Sequence, residues 1–202
     1  MRTAGRVVQS SRKREVQGGG PPRSRRRGSR APDGCARYRW EVVTLRPAVP
    51  DDADALWSIL EPIVGAGETF ALPRDMSRRD VLAWWGAPGN EVFVAEVDAS
   101  VLGTYFVHPN QLGPGSHVAN CGYATAPSAS GRGIARAMCA HSLEHARARG
   151  YRSMQFNIVV STNAPAVHLW TSMGFRTLCR VPGAFHHPVH GFVDTLVMFR
   201  EL

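Results

Sequence analysis

Residues 130–150 place the strongest constraint on the fold, because two glycines, Gly131 and Gly133, stand at the beginning of a helix that ends at Gly150. An extended run, residues 121–125, and a break at Pro127 precede them. Glycine lets the main chain curl tightly and approach another molecule without a Cβ in between. The first four N–H groups of a helix have no internal partner and carry the positive end of its dipole. The segment therefore predicts a loop that binds a phosphate group through main-chain amides.

Two common phosphate-binding loops do not fit this segment. A Walker A loop ends in Gly-Lys-Ser or Gly-Lys-Thr, and neither triplet follows Gly133. A dinucleotide fingerprint has a third glycine where Arg136 stands, and an acidic residue about twenty residues later. Neither condition is met, so these two nucleotide-binding classes are not indicated.

The loop resembles a third class. Ser130-Gly131-Arg132-Gly133-Ile134-Ala135 is similar to the acyl-CoA loop of the GNAT N-acetyltransferase family, usually written Gln/Arg-x-x-Gly-x-Gly/Ala. The run from Asn163 through Leu169-Trp170 to Gly174-Phe175 resembles a second family segment, Asn-x-x-(Ala)-x-x-Leu-Tyr-x-x-x-Gly-Phe. With Leu45-Arg46-Pro47-Ala48, the resemblance covers residues 43–202. Ser130 replaces the family's Gln or Arg, so weaker diphosphate contacts are expected at that position.

The distribution of apolar runs and Gly/Pro breaks predicts the element order β-α-α-β-β-β-α-β-α-β-β, with the second helix beginning at Ser77. The GNAT family has this order. The resemblance implies an α/β (α+β) fold, with four helices and a mixed, mostly antiparallel sheet of six to seven strands. The strand–helix–strand unit from His117 to Val160 predicts a central parallel pair, which the family splays apart. Residues 41–202 are expected to form this one domain.

The resemblance also implies acetyl-CoA as the cosubstrate, with its pantetheine arm between the splayed strands and its diphosphate at the glycine loop. The pantetheine amides would pair with the main chain of the central strand as an added strand would. The residues assigned to acetyl-CoA are Tyr123, Ala124, Thr125, Gly131, Arg132, Gly133, Ile134, Ala135, Arg136 and Asn163.

The implied reaction is direct attack of an amine on the thioester, without a covalent enzyme intermediate. A strand N–H stabilises the oxyanion, and Ala124 is the predicted donor. Trp170 stands where the family often has a tyrosine, and an indole N–H does not release its proton in this pH range. Trp170 is therefore interpreted as a packing residue. Asn163 is predicted to act near the cofactor, and an N-cap of the following helix is the alternative.

The acceptor is predicted from two further resemblances. Asn120, Tyr123, Asn157 and Asn163 are similar to a set in proline-analogue (azetidine-2-carboxylate) acetyltransferases of this superfamily, where asparagines hold the amino acid carboxylate and help to activate its amine. The loop after the first helix looks like that of phosphinothricin-type acetyltransferases. Both indicate a small amino acid or a toxic analogue. The residues assigned to this acceptor are Asn120, Tyr123, Asn157, Glu68 and Phe70.

The proton of the amine has three candidate acceptors. The first is a water held by the catalytic pair Asn157 and Asn163, since a small fraction of an α-amine is already neutral at pH 7. The second is Glu68, if its loop closes over the cleft. The third is His117, at the beginning of the central strand.

The basic charge lies mainly in residues 1–40, which hold 12 of the 24 Lys and Arg residues but only two acids. This Arg-, Ser-, Gly- and Pro-rich stretch has too few large apolar residues to fold alone, so a disordered tail is expected. Three interpretations remain: contact with nucleic acid or another polyanion, an organelle transit peptide, or a miscalled extension whose real start is near Val42 or Val43. The third is preferred.

The remaining features indicate a cytoplasmic protein without a membrane partner. No apolar run approaches the length of a membrane span, and the four cysteines show no Cys-x-x-Cys spacing. His186, His187 and His190 are close in sequence, but no carboxylate or thiolate is positioned with them, so no metal is predicted. A homodimer is an expectation, since dimers are common among relatives.

The sequence thus predicts an acetyl-CoA-dependent N-acetyltransferase acting on a small amine. The alternative within enzymes is acetylation of protein N-termini or of a ribosomal protein, which would use an open groove. The alternative outside enzymes is a non-catalytic acyl-CoA-binding module, or a nucleic-acid-associated factor that uses the arginine tail.

Overall fold

The computed structural model describes residues 5–7 and 42–202. The strands in these residues are β1 Gly5–Val7, β2 Val43–Pro47, β3 Glu91–Val97, β4 Ser100–Pro109, β5 Val118–Thr125, β6 Ser153–Val160, β7 Arg176–His187 and β8 Gly191–Glu201. The α-helices are α1 Ala53–Ala66, α2 Arg78–Trp85, α3 Ile134–Ala148 and α4 Ala164–Ser172. Three short 3-10 helices occur at Pro50–Asp52, Gly113–Gly115 and Pro127–Ala129.

The eight strands form one sheet in the order β1-β2-β3-β4-β5-β6-β8-β7. Only β5 and β6 run parallel, and the other neighbours are antiparallel. The predicted mixed sheet, its central parallel pair and its four helices are therefore confirmed. β1 is an addition to the seven strands that residues 42–202 supply. The predicted disordered tail, residues 1–40, lies outside the described part of the chain apart from residues 5–7.

The parallel pair separates almost at once. Only two positions pair, Val118 with Ser153 and Ala119 with Met154. Beyond them β5 stays paired to β4 as far as Thr125, and β6 stays paired to β8 as far as Val160. Each strand follows its antiparallel neighbour, and an irregularity in the β6–β8 register between Phe156 and Val159 adds to the divergence. A gap therefore opens in the middle of the sheet.

Helices cover both faces of the sheet and bury two apolar clusters. On one face, Ile134, Met138 and Leu143 of α3 pack with buried residues of the strands, and Trp170 of α4 joins them. The other face carries Ile59, Leu60 and Val64 of α1, Val81 and Trp85 of α2, and Phe106 and Ala124 of the sheet. Each fully buried aliphatic side chain stabilises the fold by about 1.5–3 kcal/mol.

The second helix begins where the sequence predicts. Ser77 is its N-cap, and its hydroxyl accepts a hydrogen bond from the Asp80 N–H at 3.2 Å. Trp85, at the other end of α2, donates its indole N–H to Thr104 Oγ1 at 3.0 Å, and Thr104 donates to the Phe93 carbonyl at 2.9 Å. This chain of bonds holds α2 against the sheet and leaves no unpaired polar atom there.

Two features bear on partners and ligands. None of the helices in the described part of the chain is long and apolar enough to cross a membrane. Within residues 42–202 no three metal-ligating side chains converge. His187 is buried, and its Nδ1 accepts hydrogen bonds from the N–H groups of Val189 and His190 at 3.2 and 3.3 Å, so it stabilises the turn between β7 and β8.

We predict that Asp52→Asn lowers the free energy of unfolding by about 2 kcal/mol, because Asp52 is buried and bound by both terminal nitrogens of Arg46, at 2.7 Å each. The Arg46 hydrogen bond lowers the pKa of Asp52. The carboxylate therefore stabilises the fold above the pKa of an unfolded aspartate, and this contribution is lost as the pH falls through the lowered pKa. Urea unfolding at neutral and acidic pH measures both effects.

Asp54→Asn is the matched control. Asp54 binds Arg78 in an exposed pair, with 87% and 48% of the two side chains accessible. An exposed ion pair contributes little, so this substitution is expected to cost less than about 1 kcal/mol. Equal losses in the two variants would contradict the prediction.

Candidate active site

A cavity of about 670 Å³ opens where β5 and β6 separate, between the loop that precedes α3 and helix α4. Its walls come from the loop, both strands, α4 and the segment after α1. The lining residues are Thr69, Phe70, Cys121, Tyr123, Thr125, Ala129, Ser130, Gly131, Gly133, Ile134, Ala135, Arg136, Phe156, Ile158, Val159, Val160, Asn163, Pro165, Ala166, His168, Leu169 and Trp170. Nine of the predicted site residues are among them.

The glycine loop forms one end of the cavity. Gly131 and Gly133 have φ values of 76° and 78°, in the left-handed region that glycine adopts without strain. Gly133 is the N-cap of α3, so the first N–H groups of that helix lie at the cavity. A Cβ added at Gly131 would meet no protein atom within 4 Å. The space beside this loop is therefore open to a ligand, and bare amides at a helix N-terminus fit a diphosphate.

The two arginines of the loop are placed differently. Arg136 lines the cavity, and its guanidinium donates to Ser172 Oγ at 2.6 Å and contacts Met173 Sδ at 3.2 Å. It thereby ties α3 to the end of α4. Arg132 is exposed and does not line the cavity. Arg136 is thus the loop cation that lines the cavity, while the predicted role of Arg132 stays a prediction.

Ile134 and Ala135 begin the helix and set its distance from the sheet. Ile134 is buried, and a Cβ added at Gly103 of β4 would lie 2.8 Å from its Cγ2. Gly103 therefore allows the start of α3 to approach the sheet closely. Ala135 faces the cavity from the first turn, and Thr125 faces it from the end of β5.

Three aromatic rings form the wall between the strands and α4. The centroid of Trp170 lies 4.8 Å from that of Tyr123 and 5.1 Å from that of Phe156. The Tyr123 hydroxyl forms a 2.7 Å hydrogen bond with Ser142 Oγ, and burial raises the pKa of Tyr123 well above its usual value. Tyr123 therefore presents a ring to the cavity instead of an acidic hydroxyl. Trp170 packs α4 against the sheet, as the packing interpretation of this residue requires.

Cys121 is the thiol of this wall. Burial raises the pKa of Cys121 far above that of a free cysteine, so the group stays protonated. Because the thiolate is the nucleophilic form, Cys121 is not an attacking group here. The arrangement suits a reaction in which no side chain becomes covalently bound.

Asn163 is both a residue of the cavity and the N-cap of α4, the two positions considered for it from the sequence. It lines the cavity, and its Oδ1 accepts a hydrogen bond from the Ala166 N–H at 3.2 Å as the N-cap of α4. The cap uses the oxygen of the amide. The NH₂ group of Asn163 makes no hydrogen bond within residues 42–202, and it is the group that can donate to a bound molecule.

The remaining predicted residues of the strands lie on the face covered by α1 and α2. Ala124 packs with those helices. Its N–H points to β4, because Ala124 pairs with Thr104 in the same unbroken register in which the Ala126 N–H donates to the Leu102 carbonyl. The predicted oxyanion donor is therefore directed away from the gap.

Asn157 is exposed, and its Nδ2 donates to Asn110 Oδ1 at 2.6 Å while its Oδ1 accepts from Gln155 at 2.8 Å. Asn120 is partly buried on β5. Neither Asn120 nor Asn157 lines the cavity, and both follow the last parallel pair of β5 and β6.

The segment after α1 reaches the cavity through Phe70 but not through Glu68. Phe70 lines the cavity, and its ring lies 5.6 and 5.8 Å from those of Trp84 and Trp85. Glu68 is exposed and outside the lining. His117 is also exposed, at the paired end of β5, with its Nδ1 3.0 Å from the Pro114 carbonyl. The structure does not bring either candidate base into the gap.

Several residues of the site were not predicted from the sequence. Phe156 and Cys121 carry an apolar-strand signal that any core strand shares. Outside the cavity lining, His108 on β4 and Asn110 just after β4 continue the alternation of Phe106 and so point to the same face. That alternation was the available signal, but it identifies a face only after the strand pairing is known.

Comparison with known proteins places this fold and site in a class. Residues 54–175 match the model of the acetyltransferase (GNAT) family. The chain therefore belongs to the acetyltransferase (GNAT) family, whose relatives include enzymes solved with acetyl-CoA bound.

Three relatives illustrate the similarity. A GCN5-related N-acetyltransferase from Kribbella flavida is 41% identical, with a TM-score of 0.75 over 79% of this chain and 98% of that one. A phosphinothricin acetyltransferase from Sinorhizobium meliloti in complex with acetyl-CoA shares the fold at 21% identity, with a TM-score of 0.70 over 79% and 88% of the chains. N-acetyltransferase aca1 of Schizosaccharomyces pombe is 31% identical over 114 residues, 55% of this chain and 54% of that protein. The chain matches about half the length of its curated relatives.

Proposed function

We propose that this chain transfers the acetyl group of acetyl-CoA to the amine of a small amino acid or an amino-acid analogue. One observation carries the proposal: the cavity where β5 and β6 separate has bare helix amides at one end, and uncharged amide side chains follow the last parallel pair on the other face of the sheet. The helix amides suit a diphosphate, and the amide side chains suit a small polar acceptor.

Acetyl-CoA would be held by the loop and the gap together. The amides at Gly131 and Gly133, with the guanidinium of Arg136, would bind its diphosphate. The separated edges of β5 and β6 leave room for the pantetheine arm. Bound acetyl-CoA supplies an activated acetyl carbonyl. The protein positions it, keeps water out with the aromatic wall, and aims N–H donors at the carbonyl oxygen.

The donors that face the gap would be the main-chain N–H of Tyr123, which alternates with the β4-bonded positions of β5, and the NH₂ of Asn163. The first would stabilise the oxyanion, and the second would orient the amine or a water that takes its proton. Asn157 would act with Asn163 in that step. The Trp170 indole gives no proton to the leaving sulfur.

The acceptor class follows from the chemistry of these amide side chains. Asn120 and Asn157 offer N–H donors without charge, which suit a carboxylate. Phe70, Trp84 and Phe106 form an aromatic wall beside them that suits a short apolar or cyclic side chain. Both features fit an amino acid of small size, and the loop bearing Glu68 lies at the rim.

The test is thiol release from acetyl-CoA over an amine panel of azetidine-2-carboxylate, proline, phosphinothricin, glycine and alanyl peptides. Turnover is expected with one or more free amino acids. Turnover with the peptides alone would favour acetylation of protein N-termini. No thiol release with any amine of the panel, together with acetyl-CoA binding measured by calorimetry, would favour a non-catalytic acyl-CoA-binding module.

The tail, the assembly and the location stay predictions. A salt-dependent mobility shift with nucleic acid that is lost on deleting residues 1–40 would support the nucleic-acid interpretation. A homodimer and a cytoplasmic location remain expectations. Static light scattering of the purified chain measures its molar mass and so tests the homodimer.

A further inference from the structure

The proposed reaction needs a proton acceptor that the predicted residues do not supply. An α-ammonium must lose a proton before its nitrogen attacks a thioester, and most of it is protonated at pH 7. The amides of Asn120 and Asn157 cannot accept that proton. Glu68 is exposed outside the cavity lining, and His117 lies at the paired end of β5.

Two imidazoles lie near the gap: His168 of α4 is exposed and lines the cavity on the α3 side, and His108 lies on the other face, at the register position where the strands separate. His108 lies on β4 opposite Asn120, and Asn120 is the first residue of β5 beyond the last parallel pair. Side chains of directly opposed residues have Cβ atoms about 4.5–5.5 Å apart on the same face of a sheet. His108 and Asn120 are therefore neighbours at the point where the two strands separate.

The surroundings of His108 define its face. Its ring centroid lies 5.5 Å from that of Phe106, which packs in the cluster beneath α1 and α2. The Phe106 ring lies over Gly122, where a Cβ would be only 2.5 Å from it. The side chains of β4 thus reach across toward β5 on this face. Asn110, two residues after His108, reaches further and binds Asn157 of β6.

The electrostatics keep this imidazole neutral. Burial lowers the pKa of His108, and a smaller interaction with the Pro109 backbone opposes that shift. On β3 the carboxylate of Glu96 is bound to Arg46, and β5 and β6 contribute the uncharged side chains of Asn120, Gln155 and Asn157 to this face. The charged side chains of α1, α2 and the segment between them are all exposed: Asp54, Glu61, Glu68, Arg74, Asp75, Arg78, Arg79 and Asp80.

We propose that His108 is the general base that deprotonates the acceptor amine, directly or through one water beside Asn120. This inference rests on the proposed function and names a residue for its proton step. The unprotonated ring nitrogen of His108 takes one proton from the ammonium group. The amine nitrogen then forms the C–N bond as the C–S bond of acetyl-CoA breaks. The sulfur leaves with the bonding electron pair and takes the second proton of that nitrogen, which gives an amide and free CoA.

The experiment compares His108→Gln with wild type across pH, using the amino acid of the panel with the highest turnover. At pH 7 kcat/KM is expected to fall about a hundredfold, with acetyl-CoA affinity unchanged by calorimetry. The rate of the variant should then rise about tenfold per pH unit as the amine itself deprotonates. The wild-type rate should stay level over that range and decline only below the lowered pKa of His108.

His141→Gln is the matched control. His141 is also a partly buried imidazole with a pKa lowered by burial, but it lies on α3, bound to the Tyr105 hydroxyl at 2.6 Å. It should retain the wild-type pH profile. A His108→Gln deficit that is constant across pH, or absent, would overturn the assignment. If the Gln variant does not fold, His108→Asn takes its place in the same experiment. The pH profile of the wild type at low pH is a second test, because a wild-type rate that follows only the titration of the amine also overturns the assignment.

The outcome separates this inference from the proposed function. If the wild-type protein acetylates no amine, the proposed function itself is wrong. If the wild-type protein turns over an amino acid and His108→Gln is unaffected, only the role of His108 is wrong.

Discussion

Gly131→Ala is expected to weaken acetyl-CoA binding about a hundredfold while the fold persists. The space beside Gly131 is empty of protein atoms to 4 Å, so a methyl group there would enter the volume predicted for the diphosphate. It would also hold the ligand away from the main-chain amides. Titration calorimetry with acetyl-CoA and with CoA measures the loss, and both ligands should lose affinity equally because they share the diphosphate.

Gly150→Ala controls for backbone strain. Gly150 has φ of 85°, also has no protein atom within 4 Å of an added Cβ, and stands after the far end of α3. Both substitutions place a side chain at positive φ and should cost about 1–2 kcal/mol of stability. Only Gly131→Ala should lose affinity. A similar loss in both variants would show that strain, and not the loop, governs binding.

Asn163→Ser is expected to lower kcat between a hundredfold and a thousandfold, the range for removal of one aimed donor. Serine retains an oxygen that caps α4, so stability and acetyl-CoA affinity should remain close to wild type. It lacks the NH₂ group, which the cap of α4 does not use and which belongs to a residue of the cavity lining. Steady-state kinetics with the best amino acid of the panel, beside calorimetry with acetyl-CoA, separates the two contributions of this residue.

Ser77→Ala gives the matching measurement for the loss of a cap alone. Ser77 caps α2 through a hydrogen bond of the same length as that of Asn163, 3.2 Å in both cases. Its removal should cost about 1 kcal/mol of stability and leave turnover unchanged. Wild-type turnover in Asn163→Ser would reduce Asn163 to a capping role.

The predictions that succeeded rest on residues adjacent in sequence. The positive φ values at Gly131 and Gly133, the caps at Ser77 and Asn163, and the parallel crossover from residue 117 to residue 160 are each encoded within one segment. Family motifs in those segments then indicated the whole fold. Glycine conformation and helix capping are local effects, so the sequence reports them directly.

The acceptor side was predicted less well because it depends on strand register. Asn157 binds Asn110, which lies 47 residues away, and His108 neighbours Asn120 only because β4 and β5 pair as they do. A shift of that register by one residue would turn each side chain to the other face. Glu68 was predicted from a motif, but the course of its loop leaves it exposed.

The sequence by itself determined the loop at Gly131 and Gly133, the order of strands and helices, and the family to which they belong. Only the tertiary structure decided which side chains meet at the gap between β5 and β6, and that Tyr123 and Cys121 are held in their protonated forms. The physical reason is that backbone preferences act over a few residues. Burial and hydrogen-bond partners, in contrast, are set by contacts between segments far apart in the chain.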